Sequence, residues 1–385
     1  MTETPAREDA PPPSERRLGG GLVHLHYLDT HAHLRLRADS QVAQVVEDWS
    51  RCLVAEGEPR HADDGMLVVD SELPLTHEMK HRLVANLTER GIDDLAGRAL
   101  MLHAAGVTTE NGRVLALVAE SGAGKTTAAH HLCRGTFGYV TDETVAITPQ
   151  GRVFPFAKPL SLVIDPQHPQ AKEHRSPDTL GINHTPSTPL TLAGIVFLTR
   201  RPDHAGSPKI DDVPLLDAVL ELIGHTSAFT QLDRPLEQTV RIISRCGPAR
   251  RLTYRDIEDC DDLLEELVTA GPEPIEEWLP MGIAMTKSDD QSGDQARGGS
   301  LAAHEPDDLI QVGEAALALV GQVPVLLGAI GRTVWQAAVG GATHDDLHAA
   351  VVAEHGPYAT SEALVQDAIQ RLISAGLLHL NERPP

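Results

Sequence analysis

The residues best suited to chemistry lie in one stretch, Ala119-Glu120-Ser121-Gly122-Ala123-Gly124-Lys125-Thr126-Thr127. An apolar run from Val114 to Val118 precedes it, and Thr127-Ala-Ala-His-His-Leu132 follows with helical character. Strand, small-residue loop carrying Gly-Lys-Thr, then helix is the order of a phosphate-binding loop. Such a loop turns backbone N–H groups and the positive end of a helix dipole onto an anion. Gly122 and Gly124 let the backbone approach phosphate closely. Lys125 can reach the β- and γ-phosphates, and the Thr126 hydroxyl can take one Mg2+ position. Ser121, Ala123 and Thr127 complete the expected ATP-binding set. Ala119 stands where the usual pattern has its first glycine.

A second group follows one strand later. Gly138-Tyr-Val-Thr141-Asp142-Glu143-Thr-Val-Ala-Ile147 reads as two short β-type runs interrupted by adjacent carboxylates. Phosphoryl transfer to a hydroxyl needs one carboxylate to orient or deprotonate the nucleophile and usually another for Mg2+. Asp142 and Glu143 can supply both. A third set, Asp29-Thr-His31-Ala-His33, places two imidazoles at strand spacing, where they could share a metal as in metal-dependent amidohydrolases. Those enzymes need a (β/α)8 barrel with further ligands on later strands, and here the Gly-Lys-Thr loop stands where the barrel should continue. Solvated strand-face or loop histidines are therefore the reading taken.

The 385 residues suffice for two or three domains. Lys and Arg number 32 against 55 Asp and Glu, a net charge of −23 that argues against nucleic acid or an anionic membrane as partner. Aromatics at 3% leave few platforms for base stacking. The cysteines (Cys52, Cys133, Cys246, Cys260) lack C-x-x-C spacing and read as reduced thiols. No apolar run approaches a membrane span and the N-terminus lacks a signal-peptide core, which predicts a soluble, cytoplasmic chain.

The elements that must position these groups follow from patterning. Residues 1–17 are charged and Pro-rich and read as a disordered tail. Residues 18–97 carry two alternating runs around His24 and Leu34, a helical stretch from Val42 to Leu53 and a short strand, Met66 to Asp70. A second helix, Thr76 to Arg90, is expected to stop before Gly91. Together they predict a small α/β unit. Residues 98–271 hold the phosphate-loop core, with a buried strand at Leu192–Leu198 and helices at Leu215–Ile223 and Leu236–Cys246. A further helix is expected from Arg251 through Leu267. Asp165 to Pro189 reads as a long polar loop. Arg200 and Arg201 are candidates for phosphate charge, read as solvated. Residues 272–304 have linker composition. Residues 305–382 predict three short strands and then three helices, Ala329–Val339, Thr343–Glu354 and Ser361–Ala375.

Two resemblances sharpen this reading. Leu102-His103-Ala-Ala-Gly-Val107, then Ser-Gly-x-Gly-Lys-Thr, then Val140-Thr-Asp142-Glu143-Thr-Val145 resemble, in that order, HPr kinase and its relatives, whose P-loop fold is related to phosphoenolpyruvate carboxykinase. The resemblance implies Lys125 and Thr126 at ATP and Mg2+. It implies Asp142 or Glu143 as base and metal-side acid, with His103 close by. Pro155-Phe-Ala-Lys158-Pro159-Leu resembles a segment of the same family and makes Lys158 a candidate substrate contact. Glu143 departs from the usual Asp-Asp pair, and the arginine-rich C-terminal signature is absent, so HPr itself is not the expected substrate. At the C-terminus, Gly331-Arg-Thr-Val-Trp335, Gly340-Gly-Ala-Thr343-His-Asp-Asp-Leu347 and Asp367-Ala-Ile-Gln-Arg371-Leu resemble the PqqD family of winged-helix-like, leader-peptide-binding modules.

The expected whole is an α/β, HPr kinase-like nucleotide-binding core with a small N-terminal unit and a PqqD-type α+β module. It would be an ATP- and Mg2+-dependent kinase for a Ser or Thr of a ribosomally made precursor peptide. The leader would add as a strand at Leu309–Val312 and Ala315–Val320. A kinase for a small hydroxylated metabolite, and a nucleotide-gated peptide chaperone without chemistry, stay open, as does the oligomeric state.

Overall fold

The computed structural model describes residues 21–54, 66–69, 73–165, 172–281, 300–357 and 359–380. The tail at 1–17, Asp70 at the end of its expected strand, the linker from 282 to 299 and the last residues of the C-terminal module lie outside the described residues. The chain is mixed α/β with several sheets. It divides into two compact units: Met1–Gly91 with Ala157–Gly181, and Ile92–Phe156 with Ile182–Pro385. No described helix is long and apolar enough to cross a membrane.

In the first unit, β1 (Leu22–Tyr27) and β2 (Thr30–Leu36) form a hairpin. Leu28 and Asp29 make its two-residue turn, both at positive φ (48° and 62°), as a type I′ turn requires. Val23, Leu25, Tyr27, Ala32 and Leu34 point inward and are buried, so the histidines between them point outward. After α1 (Asp39–Asp48), β3 (Met66–Val69) runs parallel to β2. Then α2 (His77–Leu95) starts where Thr76 Oγ1 accepts from the Met79 N–H at 3.2 Å. It does not stop before Gly91. A Cβ there would come within 2.9 Å of Leu28 Cδ1 and 3.1 Å of Tyr27, so the glycine lets helix and hairpin turn approach.

The second unit opens with β4 (Leu100–Thr108) and β5 (Arg113–Val118), followed by α3 (Lys125–Leu132), β6 (Gly138–Thr141), β7 (Thr144–Ile147) and β8 (Val153–Phe154). The chain then returns to the first unit for an antiparallel pair, β9 (Leu160–Val163) and β10 (Lys172–Arg175), the second of which lies inside the stretch expected as a polar loop. Back in the second unit come β11 (Thr191–Arg200), β12 (Lys209–Asp212), α4 (Leu215–Gly224), β13 (Thr226–Ser227), α5 (Pro235–Cys246), β14 (Arg250–Tyr254) and α6 (Asp261–Thr269). The sheet order is β12-β14-β11-β5-β4-β7-β8, with β6 and β13 also pairing β4. β11 lies parallel to both β5 and β14. Strands in parallel pairing, as β5 is with β11 and β11 with β14, are commonly covered on both faces. That is why Val114–Val118 and Leu192–Leu198 read as unbroken apolar runs and are buried throughout. The helix expected from Arg251 is instead β14 followed by α6. Arg250, Leu252 and Tyr254 are buried alternately with half-exposed Arg251 and Thr253, the period of a strand.

The C-terminal strands are β15 (Trp278–Pro280), β16 (Leu301–Ala303), β17 (Asp308–Val312), β18 (Ala315–Val320) and β19 (Val323–Leu327). They are followed by α7 (Ala329–Ala337), α8 (His344–His355), α9 (Ser361–Ser374) and β20 (Leu378–Leu380). Thr343 and Asp346 cap α8 reciprocally, as Thr-x-x-Asp patterning leads one to expect. The main sheet runs β15-β17-β18-β19. One of its faces places Ile310, Val312, Leu317 and Leu319 in the same core as Leu236, Val240 and Ile243 of α5. The other places Leu309, Ala316 and Ala318 against Val334, Trp335, Leu347 and Ile369 of the three helices.

Two expectations change here. Residues 272–281 do not trail free of the core. Glu273 pairs with Arg250 at 3.0 Å, Glu276 Oε1 accepts the Leu215 N–H at the start of α4 at 2.6 Å, and the Arg241 guanidinium lies over the Trp278 ring at 5.6 Å. β15 then pairs with β17, so Leu309–Val312 has neighbours on both sides and Ala315–Val320 is interior. Among the described residues the sheet's outer strands are β15 and β19.

Candidate active site

The loop after β5 adopts the backbone that its glycines permit. Gly122 (φ 82°) and Gly124 (φ 102°) both lie in the left-handed region, and Gly124 is the N-cap of α3. A Cβ at either would meet nothing within 4 Å, so backbone conformation and not crowding is what demands glycine. Ala119, at the end of β5, is not among the described residues with positive φ, which is why alanine is tolerated in the place of the usual first glycine. Lys125 is buried (6% exposed), and its Nζ donates to the carbonyls of Ala119 at 2.6 Å and Glu120 at 3.1 Å. Ser121 and Thr127 are exposed, Ala123 and Thr126 half-buried. The first-turn N–H groups of α3 therefore sit beside a lysine and hydroxyls at one opening.

The neighbouring strand carries the second group to this opening. β4 pairs with β5 (Ala104 opposite Val118) and, on its other side, with β6 and β7 (Gly106 opposite Thr141, His103 opposite Thr144). The Asp142-Glu143 turn joining β6 to β7 thus runs alongside β4 just beyond His103, and the Ala104 N–H donates to the Glu143 carbonyl at 3.1 Å. Gly106 makes room for this bend, since a Cβ there would lie 3.1 Å from Val140 and 3.2 Å from Val145. Thr141 Oγ1 accepts from the N–H groups of Glu143 (3.2 Å) and Thr144 (3.4 Å), which fixes the turn. Asp142 is buried at 4% exposure, and Tyr139 OH donates to its Oδ1 at 3.0 Å.

Electrostatics tie the two groups together. Burial lowers the pKa of His103 below the usual imidazole value, and the Lys125 and His225 charges act the same way, against opposing contributions from Glu143. Lys125, His103 and the Asp142-Glu143 turn therefore share one neighbourhood of the second unit. Lys158 belongs to the first unit, where it is fully buried, donates to its neighbour's carbonyl (Pro159) at 3.2 Å, and opposes the burial that pushes the Cys52 thiol up to about 12. Arg200 closes on Asp256 (3.7 Å) and the Arg255 carbonyl (3.1 Å) at the end of β11.

One residue of the site escapes sequence reasoning. His225 follows α4, its carbonyl accepts the His103 N–H at 2.6 Å, and its Nε2 stands 3.7 Å from Glu120 of the loop. β13, immediately after it, pairs with β4 at Leu102 and Met101. No local motif marks it, because only the sheet brings residues 103 and 225 together. A cavity of about 250 Å3 beside α4, lined by residues such as Val213, Leu215, Ile243 and Ile275, holds none of these groups.

No protein-family model matches this chain, and no curated protein matches it. Among solved structures, the Hpr(Ser) kinase/phosphatase from Coxiella burnetii is similar at 10% identity, over 44% of this chain and 93% of that one, with a TM-score of 0.22, a likeness too low to carry an assignment.

Proposed function

We propose that the chain is an ATP-dependent kinase of the HPr kinase-like class, transferring a phosphoryl group to a hydroxyl. The observation that carries this reading is the placement of Lys125 and two positive-φ glycines at the start of α3, with the Asp142-Glu143 turn brought alongside through β4. The glycine loop, the cationic side chain and the exposed hydroxyls fit a nucleotide's phosphates. Backbone N–H groups from Gly122 to Thr127 would hold them, and Thr126 Oγ1 with Asp142 or Glu143 would hold Mg2+. Bound nucleotide supplies the transferable phosphoryl group. Lys125 exchanges its two loop carbonyls for phosphate oxygens and offsets the charge that builds there. The carboxylate of Asp142 or Glu143 orients the acceptor hydroxyl and takes its proton. His103, kept neutral by burial and by Lys125, accepts or donates hydrogen bonds beside that carboxylate without adding positive charge.

The acceptor class favoured is a Ser or Thr of a ribosomally made precursor peptide, held by the C-terminal PqqD-type module. The outer strand β19, with Val323 and Leu326 exposed, suits an added strand. The test is to incubate the full chain with labelled ATP, Mg2+, precursor peptides encoded near its gene, and free hydroxylated metabolites. Label in peptide supports the reading, and label in a metabolite replaces the acceptor. Nucleotide and peptide binding with no transfer replaces the kinase by a binding protein.

A further inference from the structure

The β1–β2 hairpin carries an arrangement that the nucleotide site does not use. Its two-residue turn makes Tyr27 and Thr30 the hydrogen-bonded closing pair, and pair types alternate away from a turn. His26 opposite His31 and His24 opposite His33 are therefore both non-hydrogen-bonded pairs, where Cα atoms approach to about 4.5 Å and side chains touch. The inward neighbours Val23, Leu25, Ala32 and Leu34 are fully buried. The pleat thus puts all four imidazoles on the outer face, half-buried except for exposed His26. The two pairs differ in kind. His26 and His31 stack, with planes 22° apart and centroids at 4.5 Å. His24 and His33 meet edge to face at 83°, with Nδ1 of each ring aimed at Nδ1 of the other.

We propose that His24 and His33 form a bis-imidazole site for one late first-row divalent ion of the Zn2+, Ni2+ or Cu2+ class, bound through both Nδ1 atoms with water in the remaining positions. The two Nδ1 atoms lie in direct contact with each other, and an ion would take the place of that contact; imidazole nitrogens are ligands that these ions prefer and that Mg2+ and Ca2+ do not. Among the described residues no group of three or more His, Cys, Asp or Glu side chains is arranged around a single ion. The site is therefore a two-ligand chelate, held rigid by register and not by a closed shell. The stacked His26–His31 pair lies on the turn side of the site and does not ligate. Nothing in this assignment depends on the kinase reading.

The experiment is calorimetric titration of the untagged full chain with Zn2+ and with Ni2+ at neutral pH, without nucleotide, beside a Mg2+ titration. One equivalent of Zn2+ or Ni2+ is expected at a concentration where Mg2+ gives no signal. Affinity should fall in acid, because protons compete for the same lone pairs. The double variant His24→Gln/His33→Gln should weaken binding by at least the about 10–100-fold that losing even an outer-shell partner costs. His26→Gln/His31→Gln should leave it nearly unchanged, and Lys125→Ala should not affect it. Circular dichroism of each variant checks folding. If His24→Gln/His33→Gln proves unfolded, each single variant is titrated instead and must show the same weakening. Failure of the unmodified chain to bind either ion overturns the site, as does binding that survives loss of His24 and His33 or that falls equally when His26 and His31 are replaced.

Discussion

Lys125 has a buried stem, and its ammonium donates to carbonyls of its own loop, a backbone cradle that a ligand's phosphate oxygens can replace. Lys125→Ala should cost several hundred-fold in transfer rate, about 3–4 kcal/mol of transition-state stabilisation, with an unchanged melting temperature. An active Lys125→Ala protein would sink the site assignment. Asp142→Asn keeps the volume beside Tyr139 but removes charge and basicity. Transfer should fail while nucleotide binding changes little, and Glu143→Gln should act mainly on the metal dependence. Full turnover in both variants would reduce the pair to a turn. His103 adds a pH signature. Its folded-state pKa is lowered, so the unfolded chain binds the proton more readily, and the stability gained by keeping it neutral is lost as pH falls below about 6.5. His130, lowered by burial and by Arg134, acts in the same direction. Denaturant titrations of His103→Gln should show a shallower loss of stability from about pH 7 to pH 5.5 than the parent, and parallel slopes would contradict the burial argument.

Helix α5 links the module to the core. It starts after Arg234, a non-glycine residue at φ 49°. Arg234 is held there by Glu237 (2.9 Å), Asp308 (3.4 Å) and the Met281 carbonyl (3.4 Å). Asp308, whose side chain is fully buried, also accepts the Glu237 N–H at 3.0 Å, so a residue of β17 caps a helix 70 residues earlier in the chain. Asp308→Ala should lower stability by about 1–3 kcal/mol, since it strips a cap and leaves a strained arginine with fewer acceptors. Chemical denaturation reads this directly, and a change under a few tenths of a kcal/mol would show that the contact is incidental.

At the scale of the whole molecule, the module's sheet is part of the second unit's core and not a tethered bead. Ile310, Val312, Leu317 and Leu319 are buried against α5, each worth roughly 1.5–3 kcal/mol of apolar burial. Ending the chain at Met281 should therefore expose an apolar face and yield aggregated or markedly less stable protein. A soluble 1–281 fragment with the parent's melting temperature would show that the two parts are independent. The same packing removes the argument from effective concentration that a flexible linker invites.

What the sequence determined by itself was local. The strand-loop-helix around Gly-Lys-Thr, the carboxylate turn between two short strands, the amphipathic Leu236–Cys246 helix and the Thr343 cap are all written within about a dozen residues each. Their periods and special residues act over that range. Tertiary structure decided whatever depends on a partner distant in the chain. Arg250–Tyr254 is a strand because β11 and β12 flank it, although the residues that follow it are helical. Trp278–Pro280 pairs with β17 despite its linker composition, because an unsatisfied strand edge and the Arg241 guanidinium were there to receive it. His225 enters the site only because β13 docks on β4, and His24 meets His33 only because a two-residue turn sets the register. Strand pairing is a contact between distant segments, and no window along one segment encodes which edge it will find.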